Sequence, residues 1–126
     1  MKNKPRLLAY YSHKNMIVKH TITGDTERII CRVKGKSVFI SLNIGEAKTL
    51  SRTILDRINH LRMPGGCLKI ENNMEIHRNR FNKLVLSKDD PRPALGKYFI
   101  SLTDEEVIDL CGFVDKNLKI RAKCPN

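Results

Sequence analysis

Alternating apolar and polar residues dominate the first third of the chain. The segments are rich in β-branched and aromatic residues, and Gly24-Asp25 and Gly35 separate them, with Asn15 marking a turn inside the first. Short segments punctuated by residues that tolerate tight turns are typical of antiparallel strands. The pattern predicts a β-meander. Its segments cover residues 6–22, 27–34 and 36–42.

From Ile44 onward the apolar residues recur with a spacing of about 3.6, which predicts an amphipathic helix. The apolar stripe consists of Ile44, Ala47, Leu50, Ile54, Ile58 and Leu61. Asn43 is a favoured N-cap residue, and Glu46 completes the pattern of a capping box. Pro64-Gly65-Gly66 is expected to end the helix.

The second half of the chain repeats this order of elements. Asn72-Asn73 predicts a turn between two strands, and residues 88–96 predict a loop before the last strand. Thr103 and Glu106 form a second capping-box pattern. The helical stripe that follows consists of Val107, Leu110, Val114 and Leu118. The predicted strands cover residues 67–71, 74–78, 81–87 and 97–102.

The two halves also share sequence. Phe-Ile-Ser-Leu occurs at residues 39–42 and again at 99–102, an offset of 60 residues. At the same offset Glu46 matches Glu106 in the capping pattern. Because the match carries a strand, a helix cap and an apolar stripe together, it favours internal duplication over coincidence.

We therefore expect an α+β fold of two tandem antiparallel β-meander units, each ending in a helix (ββββα-like), in a pseudo-twofold arrangement. A unit of about 60 residues buries too little surface to be stable alone, so the two should share one core. The expected single domain covers residues 1–126, with the first unit at 1–63 and the second at 67–126.

The charge of the chain points to a polyanionic partner. The formal net charge is +11 and the pI is about 9.8, a balance typical of proteins that bind nucleic acid. Residues 1–64 carry 13 Lys and Arg against 4 acids, whereas residues 65–126 carry 11 against 9. The first half is thus expected to contribute most of the positive field.

A Gly-containing loop, an Ile-Ser-Leu strand, a capping residue, acids and an amphipathic helix follow one another at residues 96–110 (GKYFISLTDEEVIDL) and, more loosely, at 35–50 (GKSVFISLNIGEAKTL). These motifs resemble the transcriptional coactivator positive cofactor four, which binds single-stranded DNA, and the related Whirly proteins, which carry two such units in one chain. The resemblance implies four antiparallel strands and a helix per unit, and binding of single strands across the exposed strands with little sequence preference. It also leaves a homodimer open, since the coactivator family works as a dimer.

The chain departs from that family at two places. Residues 91–95 (PRPAL) stand where the family has a basic loop, and Val107 stands where its helix usually carries an aromatic residue. Together with the unequal charge of the halves, these departures leave open whether both units bind or one mainly completes the fold.

Strand alternation sorts the repeated strands into two faces. The apolar face, expected to pack on the helices, consists of Val38, Ile40, Leu42, Tyr98, Ile100 and Leu102. Phe39 and Phe99 fall on the opposite face, beside small polar or basic neighbours. They either stack on bases, or they fill a second hydrophobic layer or an interface between chains, and the sequence leaves both readings open.

Basic residues supply the candidate phosphate contacts. Arg32, Lys34 and Lys36 are two apart and are expected to project from one strand face as a track for phosphates. Tyr10 and Tyr11 are further stacking candidates, one of which must face the core. The candidate nucleic-acid contacts are Lys14, Lys19, Arg28, Arg32, Lys34, Lys36, Phe39, Arg78, Arg80, Lys97 and Phe99, with Arg78 and Arg80 sharing the spacing of two.

Other chemistry has little basis in the sequence. Cys31, Cys67, Cys111 and Cys124 form no close pair, so we expect no metal site and no disulfide, and we expect Cys31 and Cys111 to be reduced core residues. The histidines lack metal-ligand spacing and the acids at 104–106 suit a helix N-terminus, so we expect no enzyme, no catalytic residue and no cofactor.

The chain is expected to be a cytoplasmic protein without a membrane partner, because no apolar run reaches the ~18 residues of a membrane span. Its small size would suit a viral or phage gene product, acting in the host cytoplasm or nucleoid.

The leading hypothesis is a single-stranded nucleic-acid-binding protein of low sequence specificity in transcription, replication or DNA protection. DNA is the expected partner, with RNA not distinguished from it. The alternative is a protein-interaction module that binds an acidic partner such as a polymerase or nuclease subunit.

Overall fold

The computed structural model describes residues 4–71, 73–89 and 97–123, with the backbone alone at 71, 97 and 119–123. The predicted turn residue Asn72, residues 90–96 of the predicted loop and Cys124 lie outside the described residues. In chain order the elements are β1 Arg6–His13, β2 Met16–Thr23, β3 Thr26–Val33, β4 Phe39–Asn43, α1 Ile44–Asp56, α2 Ile58–Arg62, β5 Cys67–Glu71, β6 Met74–Arg78, β7 Leu84–Asp89, β8 Lys97–Leu102 and α3 Asp104–Lys123.

The strands form two four-stranded antiparallel sheets. Sheet 1 has the order β1-β2-β3-β4 and sheet 2 the order β5-β6-β7-β8, so each strand pairs with its neighbours in sequence. Sheet 1 is followed by α1 and α2, and sheet 2 is followed by α3. The expected α+β fold of two tandem meander-plus-helix units is therefore confirmed.

The predicted turns of sheet 1 lie where the sequence places them. Lys14 and Asn15 join β1 to β2, and Gly24 and Asp25 join β2 to β3. Lys14 has a φ of 53° and Gly24 one of 61°, in the left-handed region that tight hairpins require and that glycine enters at no steric cost.

The link between β3 and β4 corrects one prediction. β3 ends at Val33, and Lys34 and Gly35 form a turn in which Gly35 has a φ of 80°. The amide of Lys36 closes this turn by donating to the Val33 carbonyl at 3.1 Å. The expectation that Arg32, Lys34 and Lys36 project from one strand face is therefore wrong, because only Arg32 lies in the strand.

Two other boundaries also differ from the prediction. The single helix expected over residues 44–61 is broken at Arg57, whose φ of −127° and ψ of 31° are not helical, and the chain continues as α2. The strand expected from residue 81 begins at Leu84, because Asn82 has a φ of 64° and turns the chain.

Both predicted capping boxes are confirmed. Asn43 Oδ1 accepts from the Glu46 amide at 2.7 Å, and Glu46 Oε1 accepts from the Asn43 amide at 2.9 Å. At α3, Thr103 Oγ1 accepts from the Glu106 amide at 3.2 Å and Glu106 Oε1 accepts from the Thr103 amide at 2.8 Å. Each box satisfies amides at the helix start that have no partner within the helix.

The helices of the two units pack on each other and on the first strand of the opposite unit, so that α1 contacts α3 and β5 while α3 contacts β1. Buried side chains from both units form one hydrophobic cluster, which includes the predicted stripe residues Leu50, Ile54, Leu110 and Val114. Among the described residues, none of the helices is both long and apolar enough to cross a bilayer.

Each capping acid is also bonded by the other unit. Lys88 Nζ donates to Glu46 Oε1 at 2.8 Å, and the Asn15 amide donates to Glu106 Oε2 at 3.1 Å. Burial alone would raise the pKa of Glu46, but the Lys88 ammonium, the Asn43 amide and the Arg28 charge hold that pKa below its usual value. The two units are thus tied together at the start of both helices.

Cys31 and Cys111 are free thiols within the core, as predicted. Burial, assisted by the negative charge of Glu106, raises the pKa of Cys31 to about 12. Burial likewise raises the pKa of Cys111 to about 12, although a hydrogen bond with Ser51 acts in the opposite direction.

Candidate nucleic-acid interface

The outward-pointing side chains of sheet 1 form two rows across its four strands. One row runs from β1 to β4 through Tyr10, Lys19, Ile30 and Ser41. The next runs through Ser12, Ile17, Arg32 and Phe39. We call these two rows, together with Arg28 on β3, the outer face of sheet 1.

Burial shows that this face points away from the core. The alternate row contains Val18, Cys31 and Ile40, which are 0%, 0% and 1% exposed. On the outer face, Tyr10 is 54% and Phe39 47% exposed, whereas Ile17 is 8% exposed although it does not belong to the core cluster. The predicted orientation is confirmed for Ile40, which points inward, and for Phe39, which points outward. It is wrong for Val38, which precedes β4 and is 39% exposed.

Arg32 and Phe39 are paired directly across β3 and β4. Paired residues of antiparallel strands have Cβ atoms about 5 Å apart, so the side chains of Arg32 and Phe39 leave the sheet side by side on the same face. Arg28 is held nearby, because its Nε donates to Ser41 Oγ at 2.9 Å and its Nη2 to the Ser41 carbonyl at 3.2 Å. The arrangement can offer positive charge to a phosphate and a ring to a base.

The charged residues on the outer face of sheet 1 are all basic. This face carries Lys19, Arg28 and Arg32, and none of its residues is acidic. Glu27, which lies on β3, turns to the core side, where its Oε1 lies 2.9 Å from His20 Nε2. Lys34 and Lys36 are exposed in the turn beside Arg32 and extend the positive charge beyond the strand.

The outward side of sheet 2 has a different character. Lys69 stands directly opposite Glu75, so that their charges offset each other. Phe99, the counterpart of Phe39, is 58% exposed, and its partner across β7 is the neutral Ser87. Lys97 starts β8, but its side chain lies outside the described part of the structure. Sheet 2 thus differs from sheet 1, in which the exposed ring of Phe39 is paired with an arginine.

Lys14 is directed toward α3 instead of the outer face. Its Nζ lies 3.2 Å from Glu105 Oε2, and this ammonium holds the pKa of Glu105 below its usual value. Lys14 therefore stabilises the contact between the β1–β2 turn and the second unit.

Arg78 is a structural residue and does not belong to an exposed cationic surface. Its side chain is 5% exposed, its Nε donates to the Leu61 carbonyl at 2.7 Å, and its two terminal nitrogens each lie 3.0 Å from one carboxylate oxygen of Asp104. Arg80 lies beyond the end of β6 in an exposed turn. The shared spacing of Arg78 and Arg80 does not place them on one face, because the strand ends between them.

Tyr10 and Tyr11, the two further stacking candidates, point to opposite sides of sheet 1. Tyr10 points outward, whereas Tyr11 packs against the core, with its ring centroid 6.2 Å from that of Phe113. An irregularity in pairing between Leu7 and Ala9 shifts the alternation along β1, so the pattern near the strand start gave no reliable direction for either ring.

Comparison with models of known protein families gives no match, and comparison with curated proteins gives none either. Among the described residues, no three potential metal-ligating side chains come together. The interpretation of this surface therefore rests on its geometry and charge.

Proposed function

We propose that the chain binds single-stranded nucleic acid, with little sequence preference, through the outer face of sheet 1. The observation that carries the proposal is the pairing of Arg32 with the exposed ring of Phe39 on a face without acidic residues. Single strands present phosphates and unstacked bases together, and stacking of one base on an aromatic ring contributes about 1–3 kcal/mol.

Low sequence preference follows from the kind of contact. Lys19, Arg28 and Arg32 would meet phosphates, which carry no sequence information, and Tyr10 and Phe39 would meet the faces of bases. The same groups fit DNA and RNA, because none of these contacts requires a 2′-hydroxyl. In this proposal the chain is a divergent relative of the positive-cofactor-four and Whirly proteins that acts in the cytoplasm on strands exposed in transcription or replication.

A set of charge variants tests the proposed surface. In Arg32→Ala/Lys34→Ala/Lys36→Ala, the plot of log affinity against log salt for a labelled single strand should become less steep by about 2, since each phosphate contact contributes about 0.7. The control, Lys48→Ala/Arg52→Ala/Arg57→Ala, removes three exposed cations on or next to α1 and should leave most of the slope in place. Equal losses in both triple variants would count against a defined surface.

The alternative of an acidic protein partner makes a different prediction. The rings of Phe39 and Phe99 would then be covered by protein, and the complex would tolerate salt better than a strand held by phosphate contacts. Capture of an acidic partner that persists at high salt, with no binding of single strands, would favour that alternative.

A further inference from the structure

The two units differ in the link between their second and third strands. In sheet 1 the link between β2 and β3 is the two-residue turn Gly24-Asp25, whereas the link between β6 and β7 spans residues 79–83. The longer link carries Phe81, which is 71% exposed, and Arg80. The added residues therefore place an aromatic ring and a cation in solvent, where the ring gains little burial.

This loop is held in one conformation by its own hydrogen bonds. Asn79 Oδ1 accepts from the amides of Phe81 and Lys83 at 2.9 and 3.0 Å, and the Asn82 amide donates to the Asn79 carbonyl at 3.1 Å. The Arg80 guanidinium carbon lies 5.1 Å from the centroid of the Phe81 ring. Arg80 thus covers one face of the ring, and the high exposure of Phe81 leaves the other face open to a ligand.

A cleft of about 370 Å³ lies between this loop and the connection from α2 to β5. Arg62 and Gly65 line one side, and Asn79 and Arg80 line the other. The volume is within the range of roughly 300–1,000 Å³ that is usual for small-molecule sites.

Arg78 connects the two sides of the cleft. It donates to the Leu61 carbonyl at 2.7 Å and to the Asn82 carbonyl at 3.3 Å, so that both walls are fixed to one buried guanidinium. It also neutralises Asp104. Within the described residues neither Arg62 nor Arg80 forms an ion pair, so the cleft keeps a positive potential.

Phe81 does not line the cleft itself but lies in the chain between Arg80 and Asn82, which do. We propose that a nucleotide, free or as one unit of a strand, binds at this loop, with its base stacked on Phe81 beside the cleft and its phosphate in the cleft between Arg62 and Arg80. An aromatic ring beside two guanidinium groups matches both parts of a nucleotide. The cleft shares no residue with the outer face of sheet 1, so the site does not depend on strand binding there.

The test is fluorescence anisotropy with a thymidine dinucleotide that carries a 5′-phosphate and a 3′ dye. Phe81→Ala should weaken binding about 5- to 150-fold, the range of one lost base stack, while Phe81→Tyr stays within about twofold because it keeps the ring. The control Leu55→Ala, at a residue 47% exposed on α1, should bind as the unmodified chain does. The same dinucleotide with a 5′-hydroxyl instead of the 5′-phosphate should bind more weakly. In Arg80→Gln the affinities of the two dinucleotides should lie closer together.

Three outcomes would overturn the proposal. Phe81→Ala could bind as well as the unmodified chain, or inorganic phosphate could compete as well as the dinucleotide does, which would reduce the cleft to an anion site. The third is a loss in Arg32→Ala/Lys34→Ala/Lys36→Ala as large as in Phe81→Ala, which would place the dinucleotide on sheet 1. Dinucleotide binding that survives in this triple variant supports the cleft even if longer strands fail to bind sheet 1.

Discussion

Two adjacent residues of β4 lie on opposite faces of sheet 1. Phe39 is 47% exposed and Ile40 is 1% exposed, although one peptide bond separates them. The pleat of the strand alone determines which of the two contributes to the core and which meets solvent. Substitution of Phe39 should therefore affect binding, whereas substitution of its neighbour Ile40 should affect stability.

This separation gives the first prediction. Phe39→Ala should change the free energy of unfolding by less than about 0.5 kcal/mol, as surface substitutions do, yet lower the affinity for single strands. Ile40→Ala should cost about 2–5 kcal/mol of stability by leaving a cavity. Urea denaturation and strand titration of both variants check it, and a large stability loss in Phe39→Ala would show that its ring is buried by protein.

The cysteines give a second prediction. In a Cys124→Ser background at pH 8, a thiol reagent should modify the exposed Cys67 and leave Cys31 and Cys111 unreacted, because burial raises both of their pKa values to about 12. Denaturant should release the two protected thiols. Reaction of three thiols in the folded chain would contradict the assigned core.

At the scale of elements, the capping residues were predictable because a cap depends on residue types at fixed spacing. Asn43 with Glu46 and Thr103 with Glu106 needed no knowledge of the rest of the chain. The break at Arg57 and the late start of β7 were not predictable in this way. The spacing of apolar residues stays close to 3.6 even when one residue between them is not helical. The positive φ of Asn82, which delays the start of β7, likewise cannot be read from the pattern of polar and apolar residues.

The caps yield the third prediction. Asn43→Ala and Thr103→Ala should each lower the free energy of unfolding by about 1 kcal/mol, within the usual range of about 0.5–2 kcal/mol for a lost cap. Asn43→Asp keeps an acceptor and should recover most of the loss. Ser12→Ala, at an exposed position on β1, is the control. No change in either cap variant would argue against the capping geometry.

At the scale of the whole molecule, the two units depend on each other through their helix starts. Lys88 of the second unit binds Glu46 of the first, and their side chains are only 16% and 11% exposed. Lys88→Met should destabilise the chain by up to about 3 kcal/mol, the low end for a broken buried pair, because both groups keep some access to water.

The same pair predicts a dependence on pH. The folded-state pKa of Glu46 is lowered from 4.5, so its contribution to stability is present above pH 4.5 and is lost as the pH falls through the lowered pKa. Lys88→Met should reduce this acid-linked loss, which urea titrations between about pH 3 and 7 can measure. An unchanged acid dependence would show that the pair does not couple to folding.

The candidate site was predictable from the sequence in part. The repeated strand placed Phe39 and Phe99 outward, and the charge balance of the two halves favoured the first unit. Glu75 stands opposite Lys69 and balances its charge because of the strand register, and Arg78 is buried by long-range contacts. A local sequence pattern reports neither of these. The exposure of Phe81 has no signal in the pattern, because its segment resembles the start of a strand.

The proposed function requires that the basic, aromatic-bearing outer face of sheet 1 binds single strands. The most direct measurement is a titration of labelled single-stranded DNA, duplex DNA and RNA at about 50 and 200 mM salt. We predict tighter binding of single strands than of duplex, with a log–log salt slope of up to about −3.5 if Lys19, Arg28, Arg32, Lys34 and Lys36 each meet a phosphate. No binding of either single-stranded DNA or RNA at the lower salt concentration would contradict the proposed function.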